Sequence, residues 1–350
     1  MKTGVRISLS FIAAVIGGLI LPAAMPVEGQ NLFVTVLNGN VIQITPGGIQ
    51  STDNTARLNN PAGVAFDKGG KLYVANYSHD DVIEIPPGGT NTEFAMGLID
   101  PYNLAFDAGG NLYVASVGGI TPGNGYITKI APGGTQTPFA SSLSGPYGLA
   151  FNSTGILFES ESAISTGVIN EFAPGGAKIQ FASGFGDAYG LAFDTKGNLF
   201  AAIFNSNSIV EFTNDNGTLS ATPNVFATGL QGPVGLAFDA SGNLFVANDL
   251  STNVTEITPL GAESAFATGF SQFNLWGLAF QPAPKLQGNY AKGTFQLSVT
   301  MPSPYSSTIV QASSNLLNWI SIYTNTPPYN YTDSTSASAS GRYYRVFLGP

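Results

Sequence analysis

The sequence predicts an all-β chain: a six-bladed β-propeller closed by N- and C-terminal strands that share one blade, followed by a small C-terminal β-sandwich-like domain. One phrase carries the prediction, recurring as PAGVAFDKGGKLYVAN from Pro61, PYNLAFDAGGNLYVAS from Pro101, PYGLAFNSTGILFES from Pro146, AYGLAFDTKGNLFAA from Ala188 and PVGLAFDASGNLFVAN from Pro233. A sixth copy, WGLAF from Trp276, stops after its first strand, while Asn31-Leu32-Phe33-Val34 stands near the N-terminus as a second strand without a first. The two halves complete one blade. Measured at Gly63, Asn103, Gly148, Gly190, Gly235 and Gly277, the spacings are 40, 45, 42, 45 and 42 residues, the period of propeller blades.

Each unit reads as four strands. The first, such as Gly235-Leu236-Ala237-Phe238, has no polar face and is expected beside the central channel. An Asp-x-x-Gly-Asn turn, as in Asp239 to Asn243, reverses the chain into Leu244-Phe245-Val246-Ala247, with Gly and Asn expected to supply positive φ. The third strand alternates, as in Val82-Ile83-Glu84-Ile85. Pro-Gly-Gly turns then lead to a short outer strand ending in Phe-Ala, at Phe94, Phe139, Phe181, Phe226 and Phe266. Sharing one blade between the termini removes the free edges that an open array would expose, so truncation at either end is expected to unfold the ring.

Ahead of the repeats, Lys2 and Arg6 precede an uncharged apolar run of 15 residues, Ile7 to Leu21, which ends at Pro22. That is the pattern of a signal peptide, and a spanning helix needs about 20 residues. Residues 1–29 are therefore expected to be a signal peptide, 30–284 the propeller and 285–350 the tail, with the protein secreted or periplasmic. Loss of the leader removes Lys2, Arg6 and Glu28 and moves the formal charge of −9 one unit further negative. Such a surface repels phosphate backbones, so no nucleic acid and no membrane beyond the signal peptide is expected as a partner. With no Cys, the chain has no disulfides, thiolate metal sites or Cys nucleophile. Its 43 Gly and 22 Pro, with 9% charged residues, indicate turns rather than helices.

After Gln281-Pro282-Ala283-Pro284 the repeat stops. Phe295-Gln296-Leu297-Ser298-Val299, Ile309-Val310-Gln311-Ala312, Trp319-Ile320-Ser321-Ile322 and Tyr343-Tyr344-Arg345-Val346-Phe347 alternate with period two, which fits a small β-sandwich. It resembles the fibronectin-III-like or Ig-like tails of secreted proteins, for which sorting, spacing or dimerisation are the roles in question.

Ligands of propellers lie over the central channel, which is reached from two sets of positions. Entering each first strand are Ala62, Tyr102, Tyr147, Tyr189, Val234 and Trp276, so four of the six blades offer an aromatic, a platform for a small molecule, glycan or peptide unless the rings only pack between blades. Beyond the second strands lie Asn76 with His79, Asp80 and Asp81, then Ser116, Glu159 with Glu161, Asn205, and Asn248 with Asp249. Glu159 and Glu161 break the repeat, which in three other blades ends in Val-Ala-Asn or Val-Ala-Ser. If they met Asn248 and Asp249 across the channel, their oxygens would suit Ca²⁺; otherwise they form an acidic loop. A single His, His79, excludes multi-His zinc sites, and neither a phosphate-binding Gly loop nor a Ser-His-Asp set in elbow context is present.

The phrase P-x-G-L-A-F-D-x-x-G-N-L-Y-V-A-N resembles the NHL repeat and its relatives, the SMP-30/gluconolactonase-like and streptogramin-lyase-like propellers, over about Asn31 to Phe280. The resemblance implies the fold and a channel site, and leaves open lactonases, lyases, sensors and scaffolds. SMP-30-like lactonases take metal ligands from entry loops of the type P-N-G-L or P-D-G-L. Here Tyr147 and Val234 occupy those positions, and Asn103 falls one place later. Streptogramin-lyase-like enzymes use a catalytic His on seven blades, against the lone His79 and six repeats. The expectation is thus an exported ligand-binding or protein-interaction propeller, with a metal-dependent hydrolase, lactonase or lyase as the alternative.

Overall fold

A computed structural model describes residues 12–16, 19–23, 30–37, 39–52, 57–86, 90–162, 167–270, 274–282, 285–291, 294–300, 308–313, 318, 320–325, 329–333 and 342–348. Lys2, Arg6, Glu28, Pro284 and Trp319 lie outside the described residues. Residues Asn31–Ile85 and Gly89–Phe280 form one compact unit, and the N-terminal strands with the tail form another.

The first unit is a six-bladed β-propeller of four-stranded antiparallel sheets. Blade 1 runs from Pro61–Phe66 through Leu72–Asn76 and Asp81–Ile85 to Thr92–Met96. Blades 2, 3, 4 and 5 open with Pro101–Phe106, Pro146–Phe151, Ala188–Phe193 and Pro233–Phe238. Blade 6 is composite: Leu275–Phe280 from the end of the array pairs with Leu32–Val36 from its start, followed by Asn40–Ile44 and Gln50–Thr52. The innermost strands touch in a closed cycle, blade 6 meeting blade 1.

Two repeated features lock neighbouring blades. The first is a run of edge-on rings. Tyr73 stands between Phe94 of its own blade and Phe106 of the next, with centroids 4.8 and 5.1 Å away. Tyr113, Phe158, Phe200 and Phe245 repeat the arrangement, which explains the Phe-Ala endings as interblade packing. The second is the Gly of the repeated phrase. A Cβ on Gly148 would stand 2.1 Å from the Tyr189 carbonyl oxygen, and one on Gly235 2.0 Å from that of Trp276. Glycine is needed here because adjacent inner strands converge on the axis.

The Asp-x-x-Gly-Asn turn corrects one expectation. Gly110, Gly197 and Gly242 take the positive φ, and the Asn does not. Instead the Asn amide donates to the Asp carboxylate, as in Asn111 Nδ2 to Asp107 Oδ2 at 2.7 Å, while Asp107 Oδ1 accepts from the Asn111 backbone N–H.

In the second unit, Ile12–Ile16 and Leu19–Ala23 form a hairpin that joins a sheet with Arg342–Leu348, Thr308–Ser313 and Ile320–Asn325. Lys285–Ala291, Thr294–Thr300 and Tyr329–Asp333 form a three-stranded sheet. Tyr323 of one sheet meets Tyr331 of the other with centroids 5.0 Å apart.

Candidate functional site

In every blade the first strand carries a register break that leaves out its second residue, alone in blades 2, 3 and 5, as between Pro101 and Asn103, and together with the third in blades 1, 4 and 6, as between Pro61 and Val64. A bulge leaves that residue out of the ladder and re-aims its side chain. The bulged positions are Ala62, Tyr102, Tyr147, Tyr189, Val234 and Trp276, the six of the entry set. A hydroxyl braces the bulge in two blades. The Gly148 N–H donates to Ser160 Oγ at 2.9 Å, and Ser160 in turn donates to the Tyr189 carbonyl oxygen at 2.5 Å. Thr35 does the same between the Gly277 N–H and the Ala62 carbonyl oxygen.

The four aromatics expected at the rim meet one another. Tyr102 of blade 2 lies 4.4 Å from Tyr147 of blade 3 and 4.8 Å from Trp276 of blade 6, centroid to centroid, and Tyr147 lies 4.7 Å from Tyr189 of blade 4. Rings of blades that are not neighbours, blade 2 with blade 6 and blade 2 with blade 4, meet and place the cluster on the propeller axis. They line a half-enclosed cavity of about 150 Å³ together with Tyr77, Val117, Phe204, Val234 and Asp249. All six blades contribute. Tyr102 is the most enclosed ring, 8% exposed, and the others present part of their surface to the cavity.

Tyr77, Val117, Phe204 and Asp249 share one position, the residue that follows the second strand. Tyr77 lies 6.0 Å from Trp276, and Phe204 5.2 Å from Tyr189. Sequence reasoning found Asp249 there and missed Tyr77 and Phe204, because it scanned those loops for polar side chains. Aligning Asp249 across the repeats would have found them.

Asp249 is the carboxylate of the cavity. Its Oδ1 accepts from Trp276 Nε1 at 3.1 Å, and its backbone N–H donates to the Gly232 carbonyl at 2.8 Å. Burial raises its pKa above the usual carboxylate range, opposed by the indole hydrogen bond. Burial also raises Tyr102 well above the usual phenol value and pushes Tyr189 up to about 12, so these phenols stay protonated at neutral pH.

The rest of the second set goes elsewhere, which corrects the expected convergence with Asp249. Glu159 and Glu161 sit on the second strand of blade 3, on the same face as Leu157, which packs against blade 2. Both are buried, and Asn170 Nδ2 donates to Glu159 Oε2 at 2.9 Å and to Glu161 Oε1 at 3.0 Å. Lys178 Nζ lies 3.1 Å from Glu161 Oε1. Glu159 Oε1 is buried without a partner, and burial pushes the pKa of that residue up to about 8. Asn248 lies in a side cleft of about 250 Å³, where its amide donates to Asn253 Oδ1 and Thr255 Oγ1. Asn205 is exposed and donates to Asp187. Period-two alternation is the physical reason: residues inside the second strand face a neighbouring blade, and only the residue past its end turns to the axis.

The Ca²⁺ set is therefore not assembled. Among the described residues no three His, Cys, Asp or Glu side chains stand together as a metal site would need. The entry-loop positions that the resemblance assigns to metal ligands hold Tyr147 and Val234, neither able to replace a carboxylate.

These features define the class: a six-bladed propeller whose axis is closed by an aromatic collar around one acidic cavity. No family model and no curated protein matches the chain. Among solved structures it is similar to one described as a "putative gluconolactonase", with a TM-score of 0.52 and 17% identity, over 69% of this chain and 87% of that one. The likeness shows the six-bladed fold that the resemblance implied.

Proposed function

We propose that the protein is an exported propeller that binds a ligand at the axial cavity, a small molecule or one residue of a glycan or peptide. A single observation carries this reading: six aromatic rings and the Asp249 carboxylate, drawn from all six blades, line one cavity instead of being spread between blades. Concave aromatic lining with few polar groups is the usual chemistry of a binding site. Export rests on Lys2, Arg6 and the apolar run to Leu21.

The likeness to a structure described as a gluconolactonase supports a second reading, lactone hydrolysis. Against it stand Tyr147 and Val234 at the expected ligand positions and one carboxylate where metal-assisted hydrolysis needs several.

Binding to glycan and peptide arrays tests the first reading. Trp276→Ala and Tyr147→Ala should each abolish capture while the proteins still melt cooperatively. Capture by both variants at the level of the unaltered chain would move the site off the axis. Export predicts recovery outside the cytoplasm of a chain that begins at Gln30; a cytoplasmic chain retaining Lys2 would overturn it.

A further inference from the structure

The cavity's electrostatics narrow its ligand. Resting on the reading that the axial cavity binds a ligand, we infer that it selects an organic cation, an alkylammonium group held against the ring faces beside Asp249. Aromatic faces carry the negative part of the ring quadrupole, and cations over them are attracted most where water is excluded. Here Tyr77, Tyr102, Tyr147, Tyr189, Phe204 and Trp276 line one such cavity.

The surrounding charges have one sign. Asp249 acts on Tyr102 and Tyr189, Asp187 on Tyr147 and Tyr189, and Asp80 and Asp100 on Tyr77. Among the described residues, every charged group that acts on these four phenols is a carboxylate. An anionic ligand, such as the sugar acid that lactone hydrolysis releases, would enter against this field, and a cation would enter along it.

Size agrees. A cavity of about 150 Å³ has room for a nitrogen carrying four carbons.

The two tryptophans of the chain are Trp276 and Trp319, so a Trp319→Phe chain reports the cavity through the indole of Trp276 alone. Its fluorescence is titrated with tetramethylammonium chloride against sodium chloride at matched ionic strength, and with tert-butyl alcohol as an uncharged probe of like size. The expected result is a saturable change with tetramethylammonium and affinity at least ~10-fold weaker for the alcohol. Asp249→Asn keeps an oxygen for the Trp276 N–H and should weaken tetramethylammonium about 10-fold with the melting midpoint unchanged. Equal affinity for both probes, or unaltered affinity in Asp249→Asn, would overturn the cation inference. Binding of the alcohol without tetramethylammonium would sink the inference and leave the binding site standing. No response to either probe would also sink it, and array capture sensitive to Trp276→Ala would then still uphold the broader reading.

Discussion

Glu159 offers a quantitative test of how the blades are packed. It occupies the third position of its strand, where the other blades carry Val34, Val74, Val114, Ala201 and Val246. The site is shaped for an apolar side chain. The carboxyl receives one hydrogen bond, from Asn170, and its second oxygen receives none. Burial is the main cause that raises its pKa from 4.5 to about 8; the Glu161 carboxylate adds to the rise, while Asn170 and Lys178 oppose it. Between those two values the unfolded chain releases a proton that the folded chain keeps. Stability therefore falls as pH rises, by about 1.4 kcal/mol per pH unit and on the order of 5 kcal/mol in all, because the folded state binds more protons. Glu159→Gln keeps the acceptor for Asn170 and cannot ionise. In urea unfolding from about pH 4 to about pH 9, the stability of the variant relative to the unaltered chain should climb steadily across the window from 4.5 to 8. Two curves that stay parallel throughout would refute the assignment of Glu159 as a buried, neutral acid at neutral pH.

Three further outcomes follow from the packing. Gly235→Ala drives a Cβ to 2.0 Å from the Trp276 carbonyl and should cost about 3 kcal/mol or prevent folding, whereas Gly175→Ala meets nothing within 4 Å and should change stability by less than about 0.5 kcal/mol, both read by urea unfolding. Deleting 31–48 removes Leu32–Val36 and Asn40–Ile44 from the composite blade, so calorimetry should show loss of the single cooperative melt. Lys178→Met strips Glu161 of its cation and should lower stability at neutral pH by about 1 to 2 kcal/mol, the half-exposed lysine limiting the effect; an unchanged urea midpoint would mean the pair contributes nothing.

The repeated phrase alone determined the blade count, the four strands of each blade and the composite sixth, because each follows from local pattern: an apolar inner strand, an Asp-Gly turn, alternation, and a period. It also located Tyr102, Tyr147, Tyr189 and Trp276, since equivalent positions in a closed ring must face the same axis. What pattern could not decide is which face of a second strand each polar side chain takes and what lies opposite it. Glu159 and Glu161 look like site residues when read along the chain, yet alternation turns both toward blade 2, where Asn170 and Lys178 receive them. Asp249 lies one residue beyond its strand and reaches the axis, joined there by Tyr77 and Phe204, which single-sequence reading passed over as apolar loop residues. Repeats encode blades through local contacts, but a cavity built from six blades also needs contacts between blades far apart in the chain, such as Tyr77 with Trp276, and those arise only when the ring closes.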